Sequence, residues 1–485
     1  MEKNKFFKNA LKHHASGNWN KAKEIYEYLL KLNPNDYLVL QNYAPLLSQL
    51  REYSQAKSIF KKCLKIKPKD PLLLYNYGKF HQDRKIFEKA IKFYEESFKI
   101  EPKKNFSMYN IGNIYFQQGK FELAISSFKQ SIEVNPENFL AHNNLALSYK
   151  NIGNFNDSIR SYKNAINKNK NYADLHVNYG TQLLMLENFK EGFEEYEWRK
   201  KSKSFLDYVN YNKLKIKSKL WEGENLNNKK ILIIAEQGIG DLIQFSRYLY
   251  QIKKQYNTEV ILYLKSKKFS HFYDKTKFNL IFEGETIPEH DYHNHLLSLL
   301  KIFLKQNNLF CKPVNFFQTN KDIQRKWNDK FKNHKGIKVG INSSTSLAKK
   351  DIPMKYFINL ASNFDCKFIL LQKKINSKDI ENISIKKNIL YFPEMDTSNE
   401  AFLDSIEIIK HLDLVITADT SIAHLAATLK KKTWIPLPLV SDWRWFLKKS
   451  KSEWYDNVTL YRSKKSEGWN TPFEKIKADL KKSFF

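Results

Sequence analysis

Two short stretches of this 485-residue chain hold side chains suited to proton transfer and anion binding. In the first, Gly238-Ile239-Gly240-Asp241 follows the apolar run ILIIA at 231–235. It leads into LIQFSRYLYQIKK, where Leu242, Phe245, Leu249 and Ile252 share one helical face. Glycines there permit close approach to the backbone, the following helix presents free N–H groups, and Asp241 offers a carboxylate as proton acceptor. The third glycine of a dinucleotide-binding fingerprint is replaced by Ile243, so a tight turn with a helix-capping Asp fits the spacing equally well. In the second stretch, Asp419-Thr420-Ser421 follows LDLVIT and precedes IAHLAATL. Thr420 or Ser421 caps that helix and leaves N–H groups for a phosphate, and His424 on the first turn faces the same space. A capped helix with a buried, hydrogen-bonded His is the plainer alternative; the clustering of Asp, Thr, Ser and His favours a ligand.

The elements that must position these residues alternate strand and helix. Apolar runs stand at 231–235 and 259–264, then at 337–342, 367–371, 388–392, 412–417 and 433–437, with helix-length segments between them. Short continuous apolar runs of this kind mark buried parallel strands. The span accommodates two Rossmann-like units with a break near 320–336, and TPFEKIKADLKKSFF closes the chain as a helix. Open parallel sheets bind ligands beyond the carboxyl ends of their strands, where both stretches fall.

Residues 1–199 repeat. Pro34, Pro68, Pro102 and Pro136 are 34 residues apart, and so are Trp19, Tyr53, Phe87, Phe121, Phe155 and Phe189. Small residues (Ala22, Ala56, Ala90, Ala124, Ser158, Gly192) and aromatics (Tyr26, Phe60, Tyr94, Phe128, Tyr162, Tyr196) keep the same interval, as do Ala44, Gly78, Gly112, Ala146 and Gly180. Paired antiparallel helices explain the pattern: small residues allow close approach, aromatics fill the gaps, and proline ends the second helix. Lys170 replaces the proline of the last unit, and Arg51 and Lys85 replace the turn glycines seen at Gly17, Gly119 and Gly153. The pattern resembles about six tetratricopeptide repeats, whose concave face holds a peptide or protein; spacing or dimerisation is the alternative role. A Lys-rich linker, 200–229, follows.

Composition bounds the class. With 42% hydrophobic and 27% charged residues the chain is folded protein. No apolar run is long enough for a membrane span, and the N-terminus does not read as a signal peptide, which points to the cytoplasm. Cys63, Cys311 and Cys366 lie too far apart for a disulfide framework or a zinc site. The net charge of +31 is spread over both halves, with 32 basic and 21 acidic residues up to position 200. No nucleic-acid-binding signature accompanies it, so solvated lysines explain it better than a specific nucleic acid or an anionic membrane surface.

AEQGIGDLIQFSRYL, LDLVITADTSIAHLAATL and SDWRWFLKKSKSEWY resemble three signature segments of bacterial tetratricopeptide-repeat proteins with a C-terminal glycosyltransferase domain. That domain is similar to the heptosyltransferases of glycosyltransferase family nine and, in layout, to the protein O-linked N-acetylglucosamine transferases. The resemblance covers nearly the whole chain. It implies an all-α tetratricopeptide superhelix followed by an α/β GT-B pair of Rossmann-like domains: an acceptor domain at 230–330 and a sugar-nucleotide domain at 331–485. The implied activity is metal-independent, inverting hexosyl- or heptosyl-type transfer. The nucleotide-sugar is a donor substrate, not a cofactor, and the repeats recruit a protein or glycan acceptor.

By the same resemblance Asp241 is the general base, with Gly238 and Gly240 in its loop and Gln237 and His293 on the acceptor side. Asp419, Thr420, Ser421 and His424 hold the donor's sugar and phosphates, and Gln372 reaches the nucleoside. One segment departs from the family: VGINSSTSLAKKDIPM lacks the usual Trp-Ser-Gly turn and shortens the loop after it. Lys349 or Lys350 would supply positive charge there, with Ser343, Ser344 and Thr345 as hydrogen-bonding partners. The competing reading is an inactive repeat scaffold with a degraded donor site, mediating protein–protein interaction. Trp443 and Trp445 either stack on a ligand or cover a core edge, and Arg444 reaches a phosphate or solvent. His290, Asp291, His293 and His295 superficially suggest a metal, but they sit in a DYH-x-x-LLSL segment common among these relatives, so no metal is expected.

Overall fold

The computed structural model describes residues 2–102, 106–209, 214, 216–236, 238–345, 351–373, 375–464 and 468–484. The chain forms two compact units, Met1–Leu175 and His176–Phe485.

The first unit is a run of antiparallel helix pairs, from Glu2–Ala15 with Trp19–Leu32 to Phe139–Asn151 with Phe155–Lys168. The repeat positions pack as their sizes require. Tyr26, Phe60, Tyr94, Phe128 and Tyr162 are fully buried, as are Ala22, Ala56, Ala90 and Ala124. A Cβ on Gly112 would stand 2.6 Å from the Phe128 ring, and one on Gly78 would stand 2.9 Å from Tyr94, so these helices meet only because the residues are glycine. Asp36, Asp70 and Asn138 cap the first helices of their pairs by accepting from the N–H three residues on. The inter-helix turn keeps one backbone shape whatever residue occupies it. Gly17, Gly119 and Gly153 are left-handed, and Arg51 (φ 64°) and Lys85 (φ 56°) take the same conformation at a steric cost.

The second unit holds two parallel sheets. Strands β1 (Lys219–Leu220), β2 (Lys230–Ile234), β3 (Glu259–Leu264), β4 (Phe278–Phe282) and β5 (Tyr292–His295) lie in the order β1-β5-β2-β3-β4. Strands β6 (Lys338–Asn342), β7 (Lys367–Leu370), β8 (Ile389–Leu390), β9 (Leu414–Thr417), β10 (Thr433–Leu437) and β11 (Val458–Arg462) lie in the order β11-β10-β9-β6-β7-β8. Every pairing is parallel, as the continuous apolar runs require. Strands β1, β4, β5 and β11 go beyond the sequence expectation. The reason is plainest in β5, Tyr-His-Asn-His: it is polar, yet central, because Asn294 Nδ2 donates to the Trp221 carbonyl (2.7 Å) and so is satisfied inside the first sheet.

The boundaries differ from those that periodicity suggests. The repeat register runs to 199, but the second unit starts at His176. Arg199 shows why: it is 3% exposed, and its guanidinium donates to Glu236 (2.7 and 3.2 Å) and to Ser298 Oγ (2.9 Å). Phe193 and Tyr196 of helix Phe189–Tyr196 also pack near Trp443. The last repeat helix is thus part of the α/β core. Residues 219–220, expected as linker, add a strand to the first sheet. Helix Lys321–Phe331, expected with the acceptor domain, packs on helix Leu403–Lys410 of the second sheet, with Trp327 Nε1 donating to Asp404 Oδ1 at 2.6 Å. The terminal helix, Asn470–Phe484, buries Phe473, Ile476 and Leu480 in the second sheet's core.

Candidate active site

The loops leaving β2, β6, β7, β9 and β10 converge on one cleft of about 880 Å³. Its walls include Gly238, Gly240 and Asp241 from the first lobe and Asp419, Thr420, Ser421 and His424 from the second. The two segments that drew attention in the sequence therefore face each other across a shared space.

Gly238 precedes helix Ile239–Phe245, whose first turn carries Asp241. Gly240 is fixed by contact: a Cβ there would lie 3.1 Å from His424 Cδ2 and 3.8 Å from Ser421 Cα. This glycine lets the loop of one lobe approach the helix tip of the other. Asp241 pairs with the Arg444 guanidinium, which also binds Asp442 Oδ1 at 2.8 Å and lies 4.5 Å from the centre of the Trp443 ring. Burial pushes the Asp241 carboxyl up, Arg444 works against that, and Asp442 adds to it; the net direction is upward. Burial opposes the Arg444 charge, but Asp241 and Asp442 more than offset it, so the guanidinium stays protonated.

On the opposite wall, Thr420 caps helix Ser421–Thr428 by accepting from Ile422 N (3.2 Å), and Asn342 Nδ2 donates to Thr420 Oγ1 at 3.1 Å. Asp419 Oδ1 accepts from Trp445 Nε1 at 2.8 Å. Trp445 is fully buried and stacks on the His424 ring with centroids 5.3 Å apart, so its indole fixes both the acid and the imidazole. His424 Nδ1 lies 3.2 Å from the Tyr455 hydroxyl. Burial, helped by Arg444 and Arg247, lowers its pKa to about 3, so it presents a neutral ring to the cleft. The tip of its helix, not an imidazolium, is what this helix offers an anion.

Ser344, Thr345 and Gln372 also line the cleft. Gln372 Oε1 accepts from Ser343 N and Ser343 Oγ, both at 2.9 Å, so this side chain first holds the loop after β6. Ser343 is buried behind it and does not line the cleft. Asp351 Oδ1 accepts from Thr345 N (2.6 Å) and Thr345 Oγ1 (3.0 Å). Lys349, Lys350 and Gln237 lie outside the described residues. His293 also lies away from the cleft lining, bonded through Nδ1 to Ser218 Oγ at 3.0 Å. The neighbouring Asp291 accepts from the Lys230 backbone N–H (2.8 Å), and no metal-holding cluster of His, Cys, Asp or Glu occurs among the described residues.

The sequence left Arg444 open between a phosphate and solvent, and its pairing with Asp241 in the other lobe was not legible. Several further lining residues carried no sequence signal. Lys268, Asn342, Lys373, Asp442 and the loop from Met395 to Phe402 complete the walls. In that loop Asp396 caps helix Leu403–Lys410, accepting from Asp404 N (2.9 Å) and Ser405 N (3.2 Å). No local pattern announces this cap, because it reaches the helix from seven residues before its first turn.

Residues 260–434 match the sequence model of glycosyltransferase family 9 (heptosyltransferase). Residues 13–71, 72–104 and 112–153 match tetratricopeptide repeat models. No curated protein matches the sequence. Among solved structures the chain is similar to PilW, a widely conserved type IV pilus biogenesis factor, at 20% identity over 42% of this chain and 95% of that one, with a TM-score of 0.38. It is also similar to pilF of Pseudomonas aeruginosa, at 18% identity over 44% of this chain and 97% of that one, with a TM-score of 0.38.

Proposed function

We propose that this chain, a tetratricopeptide-repeat array joined to a glycosyltransferase family 9 domain, transfers a sugar from a nucleotide-sugar to a protein or glycan acceptor with inversion at the anomeric carbon. The observation that carries this reading is the shared cleft: a carboxylate of raised basicity on one wall faces a capped helix tip on the other.

Each wall has its part. Asp241 takes the proton of the acceptor hydroxyl as that oxygen attacks the anomeric carbon. The tip of helix Ser421–Thr428 stabilises the diphosphate as its bond to the sugar breaks. Asp419, held by Trp445, accepts from sugar hydroxyls, and neutral His424 offers a hydrogen bond without competing for the proton. Thr345, Gln372 and Lys373 border the nucleoside end. The repeats supply the acceptor-recruiting surface. No helix among the described residues is long and apolar enough to cross a membrane, and we place the activity in the cytoplasm.

Thermal-shift screening against UDP-, GDP-, ADP- and CMP-sugars tests the donor assignment: one of them stabilises the protein, and stabilisation by none favours the inactive scaffold. With the donor in hand, Asp241→Asn abolishes transfer while retaining donor binding. An Asp241→Asn enzyme with normal turnover removes Asp241 as the base.

A further inference from the structure

The pair formed by Asp241 and Arg444 poses a chemical problem. A carboxylate held by a guanidinium is poorly placed to accept a proton, and the two groups meet across the cleft that must admit the substrates. Both side chains are largely enclosed, 14% and 10% exposed. Arg444 has a second anchor, Asp442 Oδ1, which holds Nη1 at 2.8 Å and leaves Nη2 as the group that touches Asp241. The guanidinium can therefore change its Nη2 partner without losing its place. Gly240, His424 and Ser421, the last at the helix tip, line the same cleft as Arg444.

We propose that Arg444 is a shared cation that pairs with Asp241 before the donor binds and turns to the donor's diphosphate when that group arrives at the tip of helix Ser421–Thr428. This rests on the nucleotide-sugar reading and extends it. Donor loading then unmasks the base. In the transfer step the acceptor O–H bond breaks and its proton passes to Asp241. The acceptor oxygen bonds to the anomeric carbon, and the bond from that carbon to the diphosphate oxygen breaks with its electron pair on the oxygen. Arg444 and the helix tip meet the charge that develops there. The donor must therefore bind before the acceptor is activated. The other buried guanidinium nearby, Arg247, is unsuited to this task. Its Nε donates to Gln244 O (2.7 Å), its Nη1 donates to Cys311 O (3.0 Å) and Trp454 O (2.7 Å), and it does not line the cleft.

The test is a double-mutant cycle read by calorimetric binding of UDP, GDP and ADP to the full chain, independent of turnover. Arg444→Gln weakens the nucleoside diphosphate that wild type binds by at least about ten-fold, and Arg444→Lys, which keeps a cation, recovers much of the loss. Asp241→Asn tightens binding by about five-fold, because Arg444 no longer has to leave a partner. In the double variant Asp241→Asn with Arg444→Gln, the gain from losing Asp241 disappears. Simple relief of repulsion between Asp241 and the phosphates would persist without Arg444, so a five-fold gain kept in the double variant overturns the exchange. Equal affinity in wild type and Arg444→Gln overturns it as well. Binding of none of the three nucleotides to wild type removes the diphosphate donor, and the exchange with it, while the nucleotide-sugar screen decides the donor reading separately.

Discussion

The anchor of the loop that carries Asp241 makes the sharpest stability prediction. Glu236 stands two residues before Gly238, and its side chain is fully buried. Its carboxylate is met by Arg199 at 2.7 and 3.2 Å and by the Leu297 N–H at 3.0 Å. Arg199→Met fills similar space but leaves a buried carboxylate with one neutral donor. Breaking a buried pair by removing one partner costs about 3–5 kcal/mol. At about 2 °C per kcal/mol for a large unit, the unfolding midpoint falls by roughly 6–10 °C. Tryptophan fluorescence during heating reads this change, since every tryptophan except Trp19 lies in the second unit. A second arm isolates the cause. Arg199→Met with Glu236→Gln discharges the stranded group, so the double variant is more stable than the single one. A single variant that melts within about 2 °C of wild type, a shift equivalent to about 1 kcal/mol, refutes the argument. So does a double variant no better than the single.

Other expectations follow from the same geometry. Burial opposes ionisation of Glu197, but Arg199 and Lys200 bring its pKa down to about 2 from 4.5. A depressed folded value gives stability that is full above pH 4.5 and lost as pH falls toward 2, up to roughly 3 kcal/mol. In urea titrations the gap between wild type and Glu197→Gln therefore narrows across that window, and a constant gap contradicts the assignment. Trp445→Phe keeps the stack on His424 but removes the 2.8 Å donor to Asp419, so affinity for the nucleotide-sugar drops by about ten-fold in calorimetry. Gly112→Ala drives a Cβ into the Phe128 ring at 2.6 Å and costs about 1–3 kcal/mol of repeat stability. Loss of helical circular dichroism at a lower temperature reports it, and an unchanged transition shows that the helix pair yields.

The sequence alone determined whatever depends on short-range periodicity. A 34-residue recurrence of small and aromatic residues specified the helix pairs, because one repeat's packing is copied in the next. Continuous apolar runs specified seven of the sheet strands, and the Asp-Thr-Ser step narrowed the cap of helix Ser421–Thr428 to Thr420 or Ser421. The tertiary structure alone decided the rest. Strand β5 has no apolar signal, since Asn294 and His293 find partners in Trp221 and Ser218, distant in the chain. The last repeat helix belongs to the α/β half because Arg199 finds Glu236 and Ser298 there. Arg444 meets Asp241 across 203 residues of chain, and Trp445 ties Asp419 to His424 within the second lobe. Charge pairing and close approach depend on distances in space, and a local pattern records only distances along the chain.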